Sequence, residues 1–465
     1  MKIRPITLGA AAALLGLVIA PVLTASAASA APAGGGGGGG YTCTGGDVAP
    51  GAYRSMLVTG VCYMPAGTIV VRGNLTVAPG ALLDAGANPG DPASSPVVTA
   101  TVRVGGNVFV GNGAVLVLGC SPNLLGICPR GLTFDSIGGN LTARGALAVV
   151  VHGTSIGGNV SQVGGGGGAA GGAASGGCFN TTAYPIPAPW SDDAALASQV
   201  PQFTDFEDNS VGGNFTVVGV QTCWMGALRV FVGGSITWAG NVTSDPDGNE
   251  LDNNLTGGNL ACLNNDPAIQ FGDSGAAPNL VRGFGFGECG FGVVLPNPAP
   301  EAGEGPGTPE HIAVSTRSLQ TYFGTRTTTS VTSLPPVTTE SGYTITGNLN
   351  DFALAGSGLT GSGTYDSSLP PGSSGDAVLA TVYPDGSQSF IAYDTCSCSL
   401  GGQSGPSTIR FYGTSSASGW THGVFLVVSG GAVPGGGLQT LAGWGTFSGS
   451  SPTGAWRLVE HLRIT

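Results

Sequence analysis

Lysine is almost missing from this 465-residue chain: its one copy is Lys2, followed by Arg4. Both belong to a stretch that reads as an export signal, with a positive start, an apolar run from Leu8 to Leu23 and small residues, ASAASA, from Ala25 to Ala30. Removing residues 1–31 leaves a lysine-free chain with 12 arginines against 26 acidic residues, near −14. That balance excludes Schiff-base chemistry and a lysine general base. It also disfavours nucleic acid and anionic membranes as partners, since both demand basic surface. Charged residues of either sign make up only 9%. Apolar spacing of the helical kind is missing beyond the leader, and no second run has the length and apolarity of a membrane span. The expectation is a protein released to the extracellular space.

Glycine is abundant, with 85 copies, and it recurs in a pattern. Seven times a glycine and an asparagine precede an apolar-led triplet: RGNLTV at Asn74, GGNVFV at Asn107, GGNLTA at Asn140, GGNVSQ at Asn159, GGNFTV at Asn214, AGNVTS at Asn241 and GGNLAC at Asn259. The asparagines lie 33, 33, 19, 55, 27 and 18 residues apart, and a degenerate copy at Ser235 splits one interval into 21 and 6. Spacings near 20 with longer excursions fit an all-β chain coiled as a right-handed parallel β-solenoid, each coil adding short strands to the last. Gly-Asn would form the recurring corner, because both residues tolerate positive φ. The asparagines would stack, their amides bonding from coil to coil.

All ten cysteines lie beyond the leader, and export allows disulfides to persist. Their order suggests neighbours pairing: Cys43 with Cys62, Cys120 with Cys128, Cys178 with Cys223 and Cys262 with Cys289. Cys396 and Cys398 remain as a CSC pair, either a local disulfide or a two-thiolate metal chelate.

Along the chain, residues 32–40 are a polyglycine spacer, 41–294 the solenoid with its loop insertions, and 295–309 a Pro/Gly linker. Loops are expected at Gly86–Pro96, Cys120–Arg130 and Gly164–Asn209, the last ending in Asp205, Glu207 and Asp208. Residues 310–465 read as an antiparallel β-barrel of about eight strands between Thr344 and Ile464. Its segments LQTLAGWGTFSG and WRLVEHLRI resemble the closing strands of allene-oxide-cyclase-like barrels, a calycin-type fold. That likeness implies a central cavity and carries over no catalytic residue. In the solenoid, GNVTSDPDGNELDNNLTGGNLACLNNDPAIQFGDSGAAPN running on to GFGECG resembles a group of secreted actinobacterial proteins of unknown role. A weaker likeness is to bactofilins, which are polymer-forming solenoids.

Few residues point to chemistry. Gly272–Gly275 spell GDSG, the surroundings of a trypsin-like nucleophile, yet none of His152, His311, His422 and His461 sits in a partner motif. A turn is the better reading. Asp245, Asp247, Asn249 and Asp252 place oxygen ligands around Gly248, as a calcium loop requires, but lack the closing glutamate of an EF-hand. Calcium is the cofactor this pattern points to, with an ordinary acidic turn as its alternative. Asp205, Glu207 and Asp208 read as a solvated loop; Arg229 is the candidate base of a lyase if it lies near them, with a salt bridge to a neighbouring turn as the plainer reading. Trp190, Trp224 and Trp238 are sugar-stacking candidates or packing anchors.

These features favour a structural or adhesive extracellular module, with glycans or further copies of itself as partners. A polysaccharide lyase or hydrolase on the solenoid face is the first alternative. Small-ligand binding in a barrel cavity lined by Phe390, Tyr393, Phe411 and Trp444 is the second.

Overall fold

The computed structural model describes residues 40–64, 67–86, 100–119, 135–167, 203–245, 248–270 and 278–293 of the solenoid part. In the C-terminal part it describes 312–318, 320–333, 337–338, 344–356, 359–363, 377–382, 388–400, 403–430, 441–450 and 455–464. The chain is all-β. Three parallel sheets of ten, eight and ten strands stack along one axis, followed by an antiparallel sheet that closes on itself.

One coil illustrates the plan. Leu141–Arg144 lies in sheet 1, Ala148–His152 in sheet 2 and Thr154–Ile156 in sheet 3. Strands equivalent to these repeat, in register, in the coils above and below. Leu141, Val149, Val151 and Ile156 belong to one continuous core that runs the length of the stack. Phe206 meets Phe215 edge to face at 4.9 Å, and Phe215 stacks on Trp238 at 6.4 Å, filling the coils between Phe203 and Leu263.

The asparagine column exists, and its bonding is mostly from backbone to side chain. Asn107 N–H donates to Asn74 Oδ1, Asn140 to Asn107, Asn159 to Asn140 and Asn214 to Asn159, at 2.8–2.9 Å. Ser235 and then Asn259 continue the column to the N–H of Phe284. Two expectations are corrected. Asn241 is not in this column; it caps a separate turn, its Oδ1 accepting from Val220 N–H at 3.0 Å. The glycines beside the column do not use positive φ. They are required by close approach, because a Cβ on Gly158 would lie 2.5 Å from Asn140 Oδ1 and 2.8 Å from Gly139 O.

The left-handed corner lies elsewhere, between sheets 2 and 3. Gly153, Asp208, Arg229 and Asn253 occupy it in successive coils with φ of 60°, 64°, 58° and 54°. The following position carries buried asparagines: Asn209 and Asn254 accept from Thr154 and Val230 N–H and donate to Val151 O and Ala227 O.

Both ends of the stack are stapled. Cys43–Cys62 ties the first coil to the second, and Cys262–Cys289 ties Leu260–Leu263 to the segment after Gly285–Gly287. Cys223 and Cys398 are disulfide-bonded too, so the thiolate-chelate alternative for the CSC pair falls. The side chains of Cys120, Cys128, Cys178 and Cys396 lie outside the described residues. The disulfides fit an oxidising compartment, and among the described residues no helix is long and apolar enough to cross a membrane.

The solenoid also outruns its expected boundary. Ala313–Ser315 returns beyond the Pro/Gly segment to pair with Asn279–Val281, and Ile312 joins the core. Pro/Gly composition made residues 295–309 read as the division between domains, but the chain beyond them still adds a strand to sheet 3.

The barrel begins with Gln320–Ser333, a strand the sequence reading missed because its threonine-rich run has little apolar contrast. It pairs with both Thr344–Gly356 and Ala455–Ile464 and so closes the sheet. Among the described residues, Phe390, Phe411, Phe425 and Phe447 pack together inside, with ring centroids 5.3–6.0 Å apart. Trp444, expected beside Phe390 and Phe411, faces the other way. It packs on Leu280 and Val314 of sheet 3, as Phe231 and Leu255 do, with the Arg282 guanidinium 4.4 Å from its ring centroid. The side chain of Tyr393 lies outside the described residues.

Candidate functional site

Two places on the solenoid concentrate chemistry. The first is on the outer side of sheet 2, where strand alternation turns His152, Asp205 and Glu207 away from the core residues Val151 and Phe206. Phe203–Glu207 is a buried strand, not the solvated loop expected for these acids. His152 Nε2 and Asp205 Oδ2 are 2.7 Å apart. One coil on, Arg229 donates from Nη2 to Glu207 Oε2 at 2.7 Å and from Nε to Asp208 Oδ1 at 2.6 Å. Asp208 and Arg229 are both corner residues, so the left-handed turn itself brings guanidinium and carboxylate together.

Burial acts first on His152, pushing its imidazolium down. The charge and hydrogen bond of Asp205, with Glu207 and Asp208 behind it, outweigh burial and lift the group to about 9. Burial and Glu207 raise Asp205 to about 6, against the downward pull of His152 and Arg229. Its Oδ1 is buried without a protein hydrogen-bond partner. Asp84, on the same face, is likewise lifted by burial to about 6, the Gly86 N–H acting against this. These groups are buried and largely satisfied by each other, which suits a charge network holding coils together.

The second place is a groove of about 510 Å³ on the outer side of sheet 3. Its wall is a row of side chains in register from coil to coil: Val70, Arg103, Ser136 and Ser155, continued by Ser210. Its floor is a row of glycines, Gly105, Gly138 and Gly157, reached after Arg72 in the same register. Each glycine is imposed by the coil before it, since a Cβ on Gly105 would lie 2.5 Å from Arg72 O and one on Gly138 2.6 Å from Gly105 O. Close packing of coils therefore leaves a trough without side chains along its floor. Asp135, beside Ser136, turns inward and its Oδ1 accepts the Val102 N–H at 2.7 Å. Further along the same row come Phe231, Leu255, Leu280 and Val314, the apolar patch on which Trp444 sits. Hydroxyls and guanidinium groups thus occupy one half of the face, and the barrel covers the other.

Of the expected calcium ligands, Asn249 and Asp252 turn to opposite sides of one strand. Asn249 points inward, accepting from Trp238 Nε1 at 3.3 Å and donating to Pro267 O at 2.9 Å. Asp245 is buried in the turn, where its carbonyl accepts from Thr243 Oγ1; Asp247 lies outside the described residues. Among the described residues no group of three acids, histidines or cysteines has a metal-binding arrangement. Trp238 is a core residue. Trp224 packs edge-on to Phe203 and donates to Glu250 Oε1 at 3.2 Å. Trp190 and the GDSG segment lie outside the described residues.

Sequence reasoning missed the groove. The signal was present four residues before each asparagine, as VRVGGN, DSIGGN, TSIGGN and NSVGGN. A scan against known protein families and a search of characterised proteins both return no match.

Proposed function

We propose that the protein is a secreted structural or adhesive module that binds glycans along the outer side of its solenoid. The observation that carries this reading is the sheet 3 groove. It is a linear trough with a flat floor, hydroxyl groups repeating at about 4.8 Å from coil to coil, and guanidinium groups at one end. An extended saccharide presents hydroxyls along its length, and a rigid row of partners binds it with little ordering cost. Sheet 1 adds a second hydroxyl row, Thr142, Ser161, Thr216 and Thr237, in register on its outer face. The leader, the disulfides and the low charge support an extracellular setting.

A glycosidase needs two carboxyl groups facing across the scissile bond. The described lining of the groove offers serine and arginine instead, and Asp205, Glu207 and Asp208 are committed to His152 and Arg229. The test is a glycan array with the mature protein, in calcium and in chelator, with product analysis on every glycan bound. Binding without cleavage is expected. Cleavage would put the enzyme in its place, and silence on every glycan would remove the reading.

A further inference from the structure

We infer that the groove selects acidic saccharides, holding a carboxylate or sulfate between Arg72 and Arg103 while the sugar hydroxyls run along Ser136 and Ser155. This rests on the glycan reading and names its ligand class.

Charge complementarity carries the argument. The mature chain has 12 arginines against 26 acids, yet Arg72 and Arg103 line one groove in consecutive coils. Arg54, in register with Arg72, adds a third guanidinium one coil earlier. Asp135, next to Ser136 in sequence, is turned into the coil, where its Oδ1 accepts the Val102 N–H. A guanidinium presents paired N–H donors that match the two oxygens of a carboxylate or sulfate.

Position then sets polarity. Arg103, Ser136 and Ser155 succeed one another in a single row, one per coil. A ligand anchored by its acid at Arg103 extends over the glycine floor toward the serines. There it meets neutral hydroxyl partners, and further along the row the barrel dock at Leu280 and Val314. The ligand that fits is a chain carrying both acid and hydroxyl groups; a simple anion would leave the serine row unused.

The test is calorimetric titration of the full mature protein with oligogalacturonate, a sulfated galactan oligomer and neutral cello-oligosaccharide. Two variants are compared: Arg72→Gln/Arg103→Gln, and Ser155→Trp, which fills the groove from an exposed position and leaves both arginines in place. Circular dichroism melts of each variant check folding. The expected result is binding of one or both acidic oligomers at least tenfold tighter than the neutral one. That binding should weaken with salt, and each variant should lower it at least tenfold. Which acidic oligomer binds tighter identifies the acid. Equal binding of the neutral oligomer, or unchanged binding by both variants, overturns the acidic selectivity and leaves glycan binding standing. Failure of all three oligomers at millimolar concentration overturns this inference, and a silent glycan array alongside it would remove the glycan reading as well.

Discussion

His152 and Asp205 are 53 residues apart in sequence and 2.7 Å apart in space, joined because Ala148–His152 and Phe203–Glu207 are consecutive strands of one sheet. The pair makes the fold pH-sensitive in an unusual direction. His152 is lifted to about 9, and Asp205 and Asp84 to about 6, so all three bind protons more tightly folded than unfolded. Such groups add stability below their unfolded values, and that stability is lost as pH rises through the folded ones. The carboxyl contributions fade between about 4 and 6, and the His152 contribution between about 6.5 and 9. Melting temperature measured across this range should therefore fall as pH rises, by up to about 3 kcal/mol of stability from His152. His152→Gln should flatten the upper part of the curve and Asp84→Asn the lower part; an unchanged slope in both would show that these protons are not linked to folding.

Arg229 holds Glu207 and Asp208 at once, on two separate donors. Arg229→Met keeps most of the volume but leaves two buried carboxylates without their cation. The expected loss is about 3–5 kcal/mol in denaturant unfolding at pH 7. An equal loss in Arg229→Lys, which keeps a cation at this position, would point to packing or to the left-handed backbone at this residue instead.

How far this architecture is legible in sequence depends on what each residue does. Asn107, Asn140 and Asn159 bond to the same position in the coils on either side, so an identical residue recurs and the repeat is visible. The first two coils lie within the expected solenoid but lack the motif, because Gly40 and Ser55 stand in the asparagine's place, Met56 pairing with Leu75. The acid cluster was illegible for another reason. A glycine-rich insertion separates its halves, and composition around it resembles a loop, whereas burial at Asp205 and Glu207 arises from coil stacking. The groove lay between these cases, written in the sequence but four residues upstream of the motif that drew attention.

The same repeat separates two roles that sequence alone confuses. Asn159→Ala removes the acceptor for Asn214 N–H and the donor to Asn140 Oδ1, and should cost about 1–2 kcal/mol. Gly158→Ala removes no hydrogen bond, but its Cβ meets Asn140 Oδ1 and Gly139 O at 2.5 and 2.8 Å. It should cost at least as much, since backbone must move. A tolerated Gly158→Ala, read by equilibrium unfolding, would refute close approach as the reason for glycine in this column.

The end staple can be judged by where its loss is felt. Cys43–Cys62 closes a loop of 19 residues, for which chain entropy gives about 3 kcal/mol. Contacts in a solenoid pass only between neighbouring coils, so the Cys43→Ala/Cys62→Ala variant should fray from its first coil inward. Hydrogen exchange should accelerate over Tyr41–Tyr53 and remain slow over Leu141–Ile156.

Trp444 joins the two parts of the molecule: its ring covers Leu280 and Val314 and takes the Arg282 guanidinium on its face. Trp444→Ala removes both the apolar contact and the cation–π attraction, the latter worth about 0.5–2 kcal/mol. It leaves the phenylalanine cluster inside the barrel untouched. Each part should keep its own fold while the barrel undocks, giving a larger radius of gyration in small-angle scattering with little change in circular dichroism. Arg282→Met separates the two terms, since it keeps an apolar side chain over the ring and removes the charge; a radius as large as that of Trp444→Ala would assign the docking to the cation–π contact. If Trp444→Ala leaves the radius unchanged, the barrel is held by contacts other than this one.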